Sequence, residues 1–150
     1  MPNNQPKEQA MSILYTTKAT ATGGREGRAA SEDGRLQITL STPKALGGNG
    51  GDGTNPEQLF GAGYSACFLS AIKYVAGQKK VKLSEESTVT ATVGIGPRED
   101  GKGFGLDVAL AVTLPGVEAG QARELVDAAH IVCPYSEATR SNLNVRISIN

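Results

Sequence analysis

Two hydrophobic periodicities run along this chain. In "STVTATVGIG" (87–96) apolar and polar residues alternate, and "FGLDVALAVTL" (104–114) follows after the turn "GPREDGKG". A period of two predicts a pair of half-buried strands joined as a hairpin. "SILYTTKATAT" (12–22) is rich in β-branched and aromatic residues and predicts a strand. "GGREG" (23–27) reads as a turn, and "RAASEDGRLQITLST" as a hairpin turning at Asp33-Gly34, with Leu36, Ile38 and Leu40 on one face. "NVRISI" (144–149) closes the chain as a strand.

The second periodicity is helical. Asn55 is a good N-cap, Pro56 suits the first helical position, and Glu57 favours the positive end of the dipole. Helical propensity runs on to about Lys80, interrupted at Gly61 and Gly63. Phe68, Ala71, Ile72 and Val75 share one face. "EAGQARELVDAAHIVC" (118–133) predicts a second helix, with a stripe of Ala122, Leu125, Val126 and Ala129. Pro134 disfavours the α conformation at Cys133. Partly segregated strands and helices predict an α+β fold of antiparallel sheets around two main helices. No repeat or linker interrupts residues 12–150, which read as a single domain, with residues 1–11 a polar, disordered tail.

Composition narrows the function classes. Fifteen basic residues balance fifteen acidic ones, which argues against a nucleic-acid partner held by phosphate contacts. Lys79, Lys80 and Lys82 read as a solvated helix end. No continuous apolar run reaches the ~18 residues that span a bilayer, and the N-terminus has no signal-like apolar stretch. A cytoplasmic location, away from membranes, is the expectation. The Gly-rich loop "PKALGGNGGDGTN" (43–55) ends Gly53-Thr54-Asn55, without the Gly-Lys-Ser/Thr that a phosphate cradle needs at the start of the helix.

The chemistry rests on Cys67 and Cys133, the two cysteines of the chain. In a reducing compartment a permanent disulfide is disfavoured. The residues leave several readings open. Both sulfurs are of a type that fills cores. His130-x-x-Cys133 with Cys67 offers three metal ligands, one short of a structural zinc site. His130 next to a cysteine also suggests a nucleophile–base pair, although its helix is apolar. Thiol redox chemistry requires a stabilised thiolate, for which Arg25, Arg28 and Arg140 are candidate cations.

Longer motifs decide among these. "LYTTKATATGGREGRA" (14–29), "GGNGGDGTNPEQLFGAGYSACF" (47–68), "VGIGP" (93–97) and "AHIVCPYSEATRSN" (129–142) occur together and in order. With them, residues 12–149 resemble the organic hydroperoxide resistance (Ohr) branch of the Ohr/OsmC family. The resemblance implies a thiol peroxidase acting on alkyl and fatty-acid hydroperoxides. It makes Cys67 the peroxidatic cysteine, Cys133 the resolving one, Arg25 the catalytic arginine and Glu57 its partner carboxylate. It further implies an intertwined homodimer, no bound cofactor or metal, and a lipoylated protein or other dithiol as external reductant. The alternative is a thiol sensor that signals without turnover. Ser65, Glu137 and Ser141 depart from the family's usual Ala, Asn and Gly. Glu137 adds a negative charge near the resolving cysteine, which suggests slower resolution.

The implied roles fit the residue types. A guanidinium stabilises a thiolate and can donate hydrogen bonds to peroxide oxygens, and a carboxylate can orient it. Glu57 and Cys67 are ten residues apart, about 15 Å along a straight helix, so one arginine reaches both only if the helix breaks. Gly61 and Gly63 are the expected break. Leu59, Phe60, Tyr64, Phe68 and Tyr135, with Ile131 and Val132 nearby in sequence, are candidates for an apolar substrate channel, and suit a core or dimer interface equally.

Overall fold

The computed structural model describes residues 11–150, so the tail expected over 1–11 lies, apart from Met11, outside the described residues. The chain divides into two compact units meeting at Thr54 and Asn55.

The first unit is a three-stranded antiparallel sheet in the order β1 (Ala19–Thr22), β2 (Arg28–Ser31), β3 (Gln37–Thr39). A 3-10 turn, Gly24–Glu26, joins β1 to β2. It needs Gly27, because a Cβ there would sit 1.7 Å from the Thr22 carbonyl oxygen. Asp33-Gly34 makes the second turn as expected. Gly34 takes φ 74°, and Asp33 Oδ1 accepts from Ser31 Oγ at 2.7 Å and from Arg35 N at 3.0 Å. The strand expected over 12–22 is shorter than the sequence suggested. The β1–β2 ladder ends at the Ala19–Ser31 pair, where the Asp33-Gly34 turn takes over, so residues 12–18 have no strand to pair with. Leu40 is the one buried residue among residues 11–54. Ile13, Leu14 and Tyr15 are exposed.

The second unit packs helices on a sheet. Helix α1 (Pro56–Gln78) begins where expected, with the Asn55 side chain accepting from Gln58 N at 2.9 Å. The hairpin β4 (Thr88–Pro97) and β5 (Phe104–Thr113) pairs in full register from Thr88–Thr113 to Pro97–Phe104. Helix α2 (Ala119–Val132), capped by Glu118, leads into a short helix α3 (Pro134–Thr139) and then β6 (Val145–Ile149). The sheet order is β4-β5-β6. The α+β class holds, but the antiparallel expectation is corrected at β6, which runs parallel to β5. The α2–α3 crossover returns the chain to the start of the sheet, as a parallel connection requires.

The core lies between α1, α2 and the sheet. Tyr64, Phe68 and Ile72 of α1, Val108, Leu110 and Val112 of β5, and Leu125, Val126 and Ala129 of α2 are all fully or almost fully buried. The period of two in β5 and the helical stripe of α2 are thus both directed inward.

The expected helix break does not occur: α1 is continuous through Gly61 and Gly63. A glycine in a helix interior costs about 1 kcal/mol against alanine, less than the burial of one large apolar side chain recovers. Both glycines instead permit close approach. A Cβ on Gly61 would lie 3.4 Å from Val93 Cγ2, and one on Gly63 would lie 2.8 Å from the Tyr135 hydroxyl. An 18-residue window of α1 has mean hydropathy 1.3, enough in length and composition to cross a bilayer although no unbroken apolar run exists. Small residues raise that mean, and Phe60, Tyr64, Phe68, Ile72 and Val75 of the helix pack into the core.

Candidate functional site

Cys67 lies in the middle of α1, one turn beyond Tyr64. Cys133 is the joint between α2 and α3. Its backbone is extended (φ −65°, ψ 122°), as Pro134 demands, so it ends one helix and caps the next. Its N–H donates to the Ala129 carbonyl at 2.8 Å and its carbonyl accepts from Glu137 N at 3.0 Å. This bend points the Cys133 side chain at α1. The two sulfurs stand 3.6 Å apart, within hydrogen-bond contact of each other. Both are free thiols; Cys133 is fully buried and Cys67 is partly exposed.

Burial pushes the Cys67 thiol above its ordinary pKa. The Tyr135 backbone N–H, bonded to the sulfur, pulls the other way, and the neighbouring Cys133 adds to the rise. Within the second unit, then, Cys67 favours the thiol. A cation has to reach it before it becomes a good nucleophile at neutral pH.

The elements that carry this pair also carry a cluster of aromatic rings. Tyr64 contacts Phe60, Phe68 and Tyr135 at centroid separations of 5.9, 6.4 and 5.7 Å, and Phe60 meets Tyr135 at 6.3 Å. Four of the five residues expected to bind substrate are therefore one cluster. Their exposures differ: Tyr64 and Phe68 are sealed in the core, Phe60 is half-buried, and Tyr135 is 40 % exposed. Leu59 is half-buried on α1. Ile131 and Val132, beside the joint, are exposed.

Arg25 sits in the 3-10 turn after β1, in the first unit, and Glu57 in the first turn of α1. Because α1 is unbroken, Glu57 remains about 15 Å from Cys67 along the helix axis. Arg140, another candidate cation, is engaged elsewhere. It pairs with Glu137 and donates to the His130 carbonyl at the end of α2.

Sequence reasoning missed a buried polar network beside Cys133. Ser136 Oγ lies 2.9 Å from the Tyr64 hydroxyl and 2.9 Å from His130 Nδ1. Thr139 Oγ1 donates to the Ser136 carbonyl at 3.1 Å and lies 3.4 Å from the Tyr64 hydroxyl. Burial, then the Arg140 charge, hold His130 below its ordinary pKa, with Asp127 opposing. These surroundings thus favour the neutral imidazole, and Ser136 ties His130 to the helix joint. No local pattern in the sequence marks the contact, since its Ser136 partner lies six residues on, across a proline bend. Among the described residues no three His, Cys, Asp or Glu side chains converge on a metal position.

Two free thiols in contact, one from the middle of α1 and one from the α2–α3 joint, define a dithiol site in an α+β fold. Comparison with known proteins supplies the family. The family model described as OsmC-like protein matches residues 48–148. An organic hydroperoxide resistance protein of Xanthomonas axonopodis pv. citri is 56 % identical over 91 % of this chain and 95 % of its own length. The crystal structure of an organic hydroperoxide resistance protein from Elizabethkingia anophelis superimposes with a TM-score of 0.87 at 51 % identity, covering 93 % of this chain and 99 % of that one. That of OhrB from Bacillus subtilis gives 0.83 at 41 % identity, covering 92 % and 100 %. The chain belongs to the Ohr/OsmC family.

Proposed function

We propose that this protein is a cysteine-based peroxidase that reduces organic hydroperoxides, alkyl and fatty-acid, to alcohols. The observation that carries this reading is the 3.6 Å separation of Cys67 and Cys133 in a chain whose relatives are named for organic hydroperoxide resistance. The Cys67 thiolate attacks the outer peroxide oxygen, the O–O bond breaks, and the alkoxide leaves as an alcohol after protonation. Cys67 is then a sulfenic acid, which Cys133 condenses to a disulfide before further oxidation makes the damage irreversible. An external dithiol reopens the disulfide by exchange, in the role the family resemblance gives to a lipoylated protein.

In this reading Arg25 supplies the positive charge that Cys67 requires, and Glu57 orients it. Phe60, Tyr135 and Leu59 offer apolar surface to the alkyl chain, backed by Tyr64 and Phe68. Residues 12–150 act as one domain of an intertwined homodimer. The first unit's lack of a core supports the dimer, since a three-stranded sheet with Leu40 as its one buried residue needs cover. Two unlinked thiols suit a reducing cytoplasm.

The test is steady-state consumption of cumene hydroperoxide with dihydrolipoamide, beside Cys67→Ser. Turnover in the parent that disappears in the variant is expected. Oxidation of the parent that stops at one equivalent, with several dithiols supplied, would replace the peroxidase by a thiol sensor.

A further inference from the structure

The buried network around Ser136 draws on three helices, and Thr139 of α3 joins it. Tyr64 comes from α1, His130 from α2, and Ser136 from α3. Its positions relative to the sulfurs are regular. His130 precedes Cys133 by three residues and Ser136 follows it by three, so the two hold the joint from both sides. Tyr64 precedes Cys67 by three residues, which puts phenol and thiol on one face of α1 about one turn apart. The hydrogen bonds therefore tie the joint to α1 one turn away from the point where the sulfurs meet.

Ser136 is the node. Its hydroxyl, fully buried, is within 2.9 Å of both partners. Thr139 directs its proton to the Ser136 carbonyl, so its oxygen is left to accept from Tyr64. Each hydroxyl has a partner, and Ser136 is the member whose loss removes the contacts to both Tyr64 and His130 at once. A polar knot of this kind is poorly suited to filling space, which apolar residues would do at lower risk. It does fix a geometry.

We propose that Ser136, held by Tyr64 and His130, is a positioning residue for the step in which Cys133 closes on Cys67. The proposal rests on the peroxidase reading for its biological setting. In that step the Cys133 sulfur attacks the sulfur of Cys67–S–OH. The S–S bond forms, the S–O bond breaks, and hydroxide departs with the Cys133 proton as water. Cys133 is oxidised and the sulfenic sulfur is reduced. The sulfurs start 3.6 Å apart and must reach about 2.05 Å, so small errors at the joint matter. The competing fate is a second peroxide attack on the same sulfenic acid.

The experiment separates the two steps. Parent and Ser136→Ala are mixed with cumene hydroperoxide, and loss of the Cys67 thiol and formation of the disulfide are followed independently, with sulfinic acid measured by intact mass. For Ser136→Ala, thiol loss stays within about twofold of the parent, while closure slows roughly ten- to a hundredfold, the scale of a misplacement near 1 Å. Sulfinic acid rises accordingly. Closure is also driven with diamide, which takes two electrons from a thiol pair and needs no peroxidase activity, in the parent, Ser136→Ala and Tyr64→Phe. Both variants must close more slowly; closure at the parent's rate in either one, or peroxide attack slowed as much as closure, overturns the proposal. Near-UV circular dichroism checks each fold, and Tyr64→Phe, which removes only an oxygen, decides the question if Ser136→Ala does not fold. A parent that closes with diamide but not with hydroperoxide would end the peroxidase reading and leave the positioning role standing.

Discussion

Cys67 and Cys133 are 66 positions apart in the chain, and their sulfurs are 3.6 Å apart in space. A disulfide requires a further approach of about 1.5 Å, which side-chain rotation and a slight shift of the α2–α3 joint can supply. One equivalent of hydroperoxide is therefore expected to give a single Cys67–Cys133 disulfide within one chain. Cys133→Ser should instead accumulate sulfenic and then sulfinic acid at Cys67. Peptide mapping under non-reducing conditions distinguishes the two, and a disulfide between chains as the main product would contradict the expectation.

The pH dependence follows from what surrounds Cys67. Burial raises its pKa, with Cys133 adding to the rise against the Tyr135 N–H. A raised thiol pKa means that the attacking thiolate appears only as pH climbs, so the rate constant for peroxide attack rises with pH and levels off above the Cys67 pKa. If Arg25 supplies the compensating charge, Arg25→Met moves this inflection to higher pH. Thiolate absorbance and peroxide consumption across a pH series should move together. Coincident curves for parent and variant would remove Arg25 from the thiolate's surroundings.

Much of this was readable from short-range signals. Asn55-Pro56 started α1, the alternation in 87–96 marked β4 with 104–114 as its hairpin partner, and Pro134 forced Cys133 out of the helix. Each depends on neighbours within a few residues. What failed depended on distant partners. Gly61 and Gly63 lower helix propensity, but the face containing Tyr64, Phe68 and Ile72 is held by the rest of the core. Helix α3 went unseen because Pro134 resembled a terminator, whereas it is the first residue of a new helix. The Ser136 network joins residues 72 and 6 positions apart, and no local pattern announces it.

Glu137 was expected to slow resolution by placing a negative charge near Cys133. Its carboxylate pairs with Arg140, which also holds the His130 carbonyl. The pair is solvent-exposed and its charges offset one another, so its field at the sulfur is small. Glu137→Asn should change the rate of disulfide formation by less than about twofold, in line with an exposed ion pair worth ~1 kcal/mol or less. A clear acceleration in stopped-flow measurements would restore the electrostatic brake.

Ser141 adopts φ 65°, in the left-handed region, immediately after Arg140. A side chain there is strained by about 1 kcal/mol, which glycine avoids. Glycine also loses more freedom on folding, which offsets part of the gain. Ser141→Gly is expected to raise the thermal midpoint by a few degrees at most, with peroxide reduction unchanged. A lower midpoint would mean that the serine side chain makes a contribution larger than its strain.

Gly63 gives the sharpest test of how Tyr135 is held over Cys67. A Cβ at Gly63 would fall 2.8 Å from the Tyr135 hydroxyl and 3.2 Å from its Cε2. Both atoms belong to the far part of a partly exposed side chain, so the ring can swing aside at modest cost. Alanine is also the better helix former by about 1 kcal/mol, which offsets the displacement. Gly63→Ala should therefore leave the thermal midpoint nearly unchanged while moving Tyr135 away from Phe60 and Tyr64. If that ring helps to hold the alkyl chain, KM for a long-chain hydroperoxide rises and kcat changes little. A variant with a displaced Tyr135 and the parent's KM would take the tyrosine out of substrate binding and leave its backbone N–H as its contribution to the site.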